Sequence, residues 1–397
     1  MADEALSAIA QGLRAEALTT NQRRALVLSG PADWTLNAAR STLAARPKDQ
    51  GKAVWLSNRD LPEPHLPATA GDRLLGTELD TLVYDAHGGL DPDSLGAALG
   101  ALCGGGLLIL LAPDLDAWPA LPDPLAECRA PQPIDAAAPK PSRLLRRLVR
   151  VLIQAPGVTL IRARGPLPPL APPPGPRALA YASAQAEDPT THDQRLAIAA
   201  ILKTARGRGR RPLVLTSDRG RGKSSALGLA AAELLSDGRA QILVTAPRHA
   251  AVAPIFTHAG RMLAQAEATP GSLRHGAATL QFLPPDRLAQ AHPPADLLLV
   301  DEAAGIPGPL LEELLRRYPR IVFATTVHGY EGTGRGFEVR FRATLDRLTP
   351  GWRTLTLTTP IRWADADPIE ALAAHALLLD AVPAAGEDLA AADPETC

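Results

Sequence analysis

The stretch that most constrains this chain is Leu213-Val214-Leu215-Thr216-Ser217-Asp218-Arg219-Gly220-Arg221-Gly222-Lys223-Ser224-Ser225. Its apolar start predicts a buried strand, which leads through a glycine-bearing loop into a helix predicted over Ser225 to Leu235. Strand, loop and helix in that order, with Gly-Lys-Ser at the junction, are what a phosphate-binding loop requires. Gly220 and Gly222 let the backbone turn its N–H groups inward round an anion. The helix N-terminus adds partial positive charge. Lys223 would reach the β- and γ-phosphates of ATP, and Ser224 would hold Mg²⁺. The usual pattern opens on glycine, and here Ser217 stands in that position. An Arg/Gly-rich surface loop is the alternative; the agreement of strand, loop and helix favours the phosphate loop. Lys48, Lys52, Lys140, Lys203 and Lys223 are the only lysines in a chain that otherwise uses arginine. A compact ammonium thus stands where a phosphate loop needs one.

The second strong motif is Leu297-Leu298-Leu299-Val300-Asp301-Glu302-Ala303-Ala304. A continuous apolar strand delivers two acids at its tip. Asp301 suits Mg²⁺ binding, and Glu302 suits orienting and polarising an attacking water. Alone, the pair reads equally well as a helix-capping acidic dipeptide. Beside the upstream loop, the catalytic reading is stronger. Ile321 to Thr326 predicts another buried strand, with Thr325 or Thr326 able to sense the γ-phosphate. It leads into His328-Gly329-Tyr330-Glu331-Gly332-Thr333-Gly334-Arg335-Gly336-Phe337, where Arg335 is a candidate phosphate clamp or arginine finger. Thr354 to Thr358 alternates as a half-buried strand does and ends in Pro360-Ile361-Arg362-Trp363, making Arg362 a second arginine candidate. Upstream, Thr191 or Asp193 can cap a helix over Arg195 to Ala205, and Gln194 offers the donor and acceptor that suit an adenine edge. Gln241 to Pro247 gives a strand whose Thr245 end lies where ligands bind in open α/β sheets.

The first half has the same layout without that chemistry. A helix over Ala5 to Leu18 precedes strands at Arg24–Leu28, Ala53–Ser57, Leu79–Ala86 and Leu107–Leu111, with a helix over Ala32 to Ala44 and another opening at Asp91-Pro92-Asp93. Apolar strands alternating with helices imply parallel pairing, buried on both faces. Where the second half has its lysine loop, the first has Leu28-Ser29-Gly30-Pro31; Val83-Tyr84-Asp85-Ala86-His87 parallels Val300-Asp301-Glu302-Ala303. A degenerate internal duplication is one reading; common features of strand ends in such sheets are the other. Neither Asp85 nor His87 is assigned a catalytic role. Arg143, Arg146, Arg147 and Arg150 fall at helical spacing and predict a basic face, for RNA backbone or for solvent. Arg206, Arg208, Arg210 and Arg211 form a second basic run.

With 397 residues, two domains of ordinary size are expected. The division is 1–164 for a first α/β domain without a phosphate loop, 165–176 for a proline-rich linker, 177–376 for a P-loop domain and 377–397 for a tail. A formal net charge of −1 means that any nucleic-acid contact rests on a local patch. Cys103, Cys128 and Cys397 lack metal-ligand spacing and cannot form a disulfide framework. The acidic N-terminus lacks a signal core, and the longest apolar run is too short to span a bilayer, so no membrane partner and a cytoplasmic location are expected.

Together these segments resemble the tRNA(Met) cytidine acetyltransferase (TmcA-like) family, over about Asn21 to Glu370. The block Gly329 to Phe337 is the most specific; the Asp218 to Ser224 loop, Val300 to Ala304, Thr326, Pro360 to Trp363, Arg23 to Gly30 and Tyr84 to His87 join it. The resemblance implies an α/β chain of two RecA/Rossmann-like parallel-sheet domains, the second a helicase-like ATPase with a P-loop NTPase core. It implies ATP contacts from Gln194, Ser217, Asp218, Arg219, Gly220, Arg221, Gly222, Lys223, Ser224, Ser225, Ala226 and Arg335. The reading of the residues adds Thr326 and Arg362. It implies work on elongator tRNA(Met), where the family uses ATP and acetyl-CoA to make N4-acetylcytidine at the wobble position. No acetyl-CoA loop is seen after Arg362, so acetyl transfer is expected from a separate domain or subunit. The catalytic set is then Lys223, Asp301, Glu302 and Arg335, with Mg²⁺ on Ser224 and Asp301. Two alternatives are a non-hydrolysing, nucleotide-gated tRNA-binding scaffold and an unrelated P-loop ATPase acting on DNA.

Overall fold

The computed structural model describes residues 2–44, 51–125, 141–169, 190–238, 240–263, 265–327, 333–379 and 381. Most of the expected linker and tail lies outside them. The first sheet has six strands, β1 (Arg24–Ser29), β2 (Ala53–Leu56), β3 (His65–Leu66), β4 (Leu79–Asp85), β5 (Leu102–Ala112) and β6 (Val158–Arg162). Their order across the sheet is β3-β2-β4-β5-β1-β6, and every pairing is parallel. The interior strand β1, between β5 and β6, is buried at every position. That is why its sequence reads as an unbroken apolar run instead of an alternation.

Helices cover both faces of this sheet. On one side α1 (Ala2–Thr20) and α2 (Ala32–Ala44) bury Leu6, Ile9, Leu13 and Ala39 against Leu26, Leu28 and Ile109. On the other lie α3 (Pro92–Leu99) and α4 (Arg143–Gln154). Asp91 accepts from the Ser94 N–H at 2.9 Å to cap α3, and Ser142 caps α4 in the same way. The apolar stripe of α4, Leu145, Leu148 and Leu152, enters the core; Arg143, Arg146 and Arg150 face outward. Arg147 turns instead to the His375 carbonyl at 2.8 Å.

The second sheet is built from β7 (Leu213–Ser217), β8 (Gln241–Thr245), β9 (Glu267–Thr269), β10 (Ser272–His275), β11 (Ala278–Phe282), β12 (Leu297–Val300), β13 (Ile321–Thr326) and β14 (Arg353–Leu357). Its order is β14-β7-β13-β12-β8-β11-β10-β9. The strands from β14 to β11 are parallel, as expected, whereas β9 and β10 add an antiparallel edge. The sheet as a whole is therefore mixed. Gly271 at φ +75° and Gly276 at φ +61° make the two tight reversals that the edge needs. One face carries α5 (His192–Arg206), α6 (Lys223–Ser236) and α7 (Ala253–Met262); the other carries α8 (Pro285–Ala291), α9 (Gly308–Arg317) and α10 (Thr333–Leu348).

Read from one side, the first sheet runs β6-β1-β5-β4-β2-β3 and the parallel part of the second runs β14-β7-β13-β12-β8-β11. In each half this is last, first, fifth, fourth, second, third. The suggested duplication thus has a counterpart in topology. It also makes Asp85, at the end of β4, the positional counterpart of Asp301, just beyond β12.

The last helix, α11 (Pro368–Leu377), follows the second sheet in sequence and packs on the first. Ile369, Leu372, Ala373 and Ala376 join the core formed with Leu145, Leu148 and Leu152. Asp367 caps it, taking the Glu370 N–H at 2.8 Å, and is fully buried against Arg23, itself 2% exposed. Arg23 donates through Nε at 3.0 Å, Nη2 at 2.8 Å and its backbone N–H at 2.7 Å to this carboxylate, and through Nη1 to the Leu99 carbonyl at 2.7 Å. Among the described residues, no helix is long and apolar enough to cross a membrane.

Removing one partner of such a pair strands the other charge without water. Asp367→Ala is therefore expected to lower the unfolding free energy by roughly 3–5 kcal/mol in a denaturant titration. A loss under about 1 kcal/mol would mean that Arg23 finds other acceptors or solvent.

Candidate functional site

Strand order creates the site. β13 is the only strand between β7 and β12, so the loop after β7 and the acids after β12 face each other across one strand. The loop needs its glycines: Gly220 has φ +76° and Gly222 φ +80°. A Cβ on Gly222 would also lie 2.3 Å from Gln194 Nε2, and one on Gly220 2.8 Å from the Trp363 ring. Gly222 is the residue before α6, and its carbonyl takes the Ala226 N–H at 2.9 Å. Ser225 and Ala226 are buried in the first turn, so they shape the loop more than they reach outward.

Lys223 folds back over the loop. Its Nζ donates to Ser217 Oγ at 2.5 Å, Thr326 Oγ1 at 3.1 Å and the Asp218 carbonyl at 3.3 Å. Ser224 Oγ donates to Asp301 Oδ2 at 2.6 Å, and the other carboxylate oxygen accepts the Glu302 N–H at 2.9 Å. Burial pushes the Lys223 ammonium down to about 8, a fall that nearby Asp301 only partly offsets. Burial pushes the Asp301 carboxyl up, against the Ser224 hydrogen bond and the Lys223 charge. Both ions are thus held with less solvation than they prefer. Glu302 sits at φ +48° in the left-handed region, uncommon for a side chain with a Cβ and concentrated at functional sites.

The sequence candidates divide in space. Ser217, Lys223, Ser224, Asp301 and Thr326 come together. Thr325 points to the opposite face, fully buried, with no partner for its hydroxyl. Thr245 is likewise buried, with no partner for its hydroxyl. Gln194 lies against the loop, but its Oε1 accepts the Thr191 N–H at 3.1 Å, and its Nε2 points at the Gly222 carbonyl at 3.5 Å. It completes a capping box with Thr191. Arg362 is not brought to the cluster. Its Nη1 donates to the Gly100 carbonyl of the first half at 3.0 Å, and burial lowers its pKa. Arg335 lies on α10 outside the residues whose side chains are described, as does the Gly329–Gly332 segment. Two residues that sequence reading gave no role reach the loop: Glu370 pairs with Arg221, and Trp363 packs on Gly220. No local pattern signals either contact, since Trp363 precedes the helix that carries Glu370 and only the packed structure connects both to the loop.

Residues 214–380 match the family described as RNA cytidine acetyltransferase NAT10/TcmA, helicase domain. Residues 1–163 match tRNA(Met) cytidine acetyltransferase TmcA, N-terminal. The tRNA(Met) cytidine acetyltransferase TmcA of Nitrosococcus halophilus is 47% identical over 98% of this chain and 52% of its own length. That of Haloarcula marismortui is 38% identical over 98% of this chain and 52% of its own length. That of Vibrio cholerae is 41% identical over 76% of this chain and 38% of its own length. The chain spans about half the length of the first of these curated relatives.

The edge of the site is fixed by Asp193. Its Oδ2 accepts the backbone N–H of Thr358 at 2.7 Å and of Thr359 at 3.0 Å, with both hydroxyls adding bonds at 2.9 and 3.1 Å. The Thr358 N–H bond is the largest reason its pKa falls to about 2. A folded pKa below the unfolded one contributes stability above the unfolded value and loses it as pH falls through the folded value. For this partly exposed carboxylate the contribution at neutral pH is about 1 kcal/mol. Asp193→Asn should therefore unfold earlier than wild type at pH 7, and the gap should close between about pH 4 and pH 2. A gap that does not depend on pH would assign the effect to packing.

Proposed function

Because the chain belongs to the tRNA(Met) cytidine acetyltransferase TmcA family, we propose that its second sheet carries an Mg²⁺-dependent ATPase serving that family's work on tRNA. The observation that supports it most is the 2.6 Å contact of Ser224 Oγ with Asp301 Oδ2 beside the Lys223 ammonium. Mg²⁺ favours hard oxygen donors and keeps several waters, binding through one or two protein oxygens plus phosphate. Ser224 and Asp301 fit that demand, whereas among the described residues no cluster of three or more His, Cys, Asp or Glu forms a closed metal cage. When bound, the ion would neutralise charge on the β- and γ-phosphates.

The chain's own residues then have these roles. Loop N–H groups and the α6 N-terminus receive the phosphates. Lys223 exchanges Ser217 and Thr326 for γ-phosphate oxygens, recovering the solvation that burial denies it. Glu302 orients a water and takes its proton as the water oxygen bonds to the γ-phosphorus and the bond to ADP breaks. Arg335 stabilises developing charge. Gln194 meets the adenine edge once its weak bond to Gly222 is exchanged. In this reading, turnover drives RNA handling for N4-acetylcytidine formation at the wobble position of elongator tRNA(Met).

The test is ATP turnover with and without tRNA. The wild type should hydrolyse ATP, and tRNA should stimulate it more than duplex DNA does. Glu302→Gln should lose roughly 10²-fold or more in kcat while still binding ATP. Lys223→Ala should lose both binding and turnover. Turnover retained in both variants would remove the assignment; binding without any turnover in the wild type would favour a nucleotide-gated scaffold.

A further inference from the structure

The phosphate loop is gripped from outside by the segment that leads to α11. Arg221, between the two loop glycines, is only 8% exposed, and its Nη2 is paired with Glu370 Oε1. Its Nη1 donates to the Arg219 carbonyl at 3.3 Å, and its Nε is buried without a partner. The second Glu370 oxygen accepts the Trp363 indole N–H at 2.9 Å. The Trp363 ring, 3% exposed, lies with one edge against Gly220 and one face under the Arg23 guanidinium, 3.5 Å from the ring centroid. Arg23 in turn holds Asp367, the cap of the helix that carries Glu370. Arg23, Asp367, Trp363 and Arg221 are buried, while Glu370 is one-third exposed, so a shift of any buried member of the chain leaves a polar group unpaired.

We propose that Glu370 and Trp363 are positioning residues for nucleotide binding: they draw the Arg221 side chain outward, fix the course of the loop, and anchor that geometry to the first sheet. This rests on the ATPase reading given above. The physical logic is pre-organisation. A loop that must fold round an anion binds more weakly if the ordering occurs at the moment of binding. Glu370 commits both oxygens, one to the loop and one to the ring that walls it, so a single carboxylate sets both the loop's side chain and its boundary. Neither residue touches the reacting phosphate, so the effect belongs in affinity and not in the chemical step.

The experiment uses the whole chain, with equilibrium binding of ATP and steady-state hydrolysis measured separately. Glu370→Gln keeps shape and an acceptor for Trp363 while removing the charge. It should weaken ATP binding roughly tenfold, raise KM in parallel and leave kcat within about threefold. Trp363→Phe, which retains a ring over Gly220, should cost less affinity than Trp363→Ala, and should abolish a nucleotide-dependent change in tryptophan fluorescence present in the wild type. In an Arg221→Met background, Glu370→Gln should have no further effect on ATP affinity, which separates positioning through Arg221 from general destabilisation. If Lys223→Ala loses ATP binding while Glu370→Gln binds as wild type, this inference falls and the ATPase reading stands. If the wild type binds no ATP, both fall. A full additional loss in the Arg221→Met background would also overturn it.

Discussion

A carboxylate and an ammonium share one desolvated notch above the second sheet, and the rest of the molecule is arranged so that they must. Asp301 is 2% exposed, and Lys223 lies over the loop on three oxygen acceptors. Burial works against both charges. Two opposite charges so placed, each hydrogen-bonded to neutral groups and not to the other, gain little net stability, because the desolvation they require offsets the attraction. Under the proposed function, anionic phosphate oxygens would answer the Lys223 charge and a cation the Asp301 charge. Only a sheet with one strand between the two tips brings them within this reach, and only continuous apolar strands buried on both faces hold that order.

The first sheet shows what the same frame does without those residues. Asp85 stands at the strand end that matches Asp301, and it is fully buried. Ser57 Oγ donates to it at 2.8 Å and Arg59 Nε at 2.6 Å, while its other oxygen takes the His87 N–H at 3.1 Å. Its charge is answered inside the protein. After β1, Ser29 Oγ accepts from the Leu115 N–H at 3.1 Å and donates to the Pro113 carbonyl at 3.1 Å; there is no lysine in that turn. A carboxylate already neutralised has nothing to ask of a metal ion. The topology repeats, and a guanidinium in place of a lysine loop converts a strand-end acid into a structural tie.

Local chemistry was legible in the sequence; long-range partnership was not. α2 was expected over Ala32–Ala44 and has those bounds, because its helix formers and flanking Pro31 speak for themselves. β5 was expected only from Leu107, yet it begins at Leu102, since Gly104-Gly105-Gly106 carries no side-chain signal and lies in the irregular stretch between the Leu79–Leu102 and Thr81–Leu107 pairs. The β9–β11 edge was not expected, being short, half polar and defined by two glycine turns. At the site, Ser224 and Asp301 were legible because motif spacing encodes their meeting. Gln194 was read for adenine, although Thr191 three residues before it is itself a capping-box signature. Arg362 read as an outward arginine because a sequence does not reveal that a carbonyl of another sheet waits for it. Glu370 was invisible for the same reason.

The segment between β14 and α11 alternates its loyalties between the two sheets. Asp193 takes the N–H groups of Thr358 and Thr359 on the side of the second sheet. Ile361 N–H donates to the Gly220 carbonyl at 2.8 Å, within the phosphate loop. The Arg362 carbonyl accepts from Gly104 N–H at 2.6 Å, and Ala364 N–H donates to the Asn21 carbonyl at 2.7 Å, both in the first half. Three successive contacts thus cross from loop to first sheet within a few residues. Each hydrogen bond is worth about 1 kcal/mol net, and breaking a buried one costs more. A loop that moves on binding must either carry this segment with it or give up contacts of that size. The conformation of the loop and the placement of α11 on the first core are thus tied through one short, hydrogen-bonded segment.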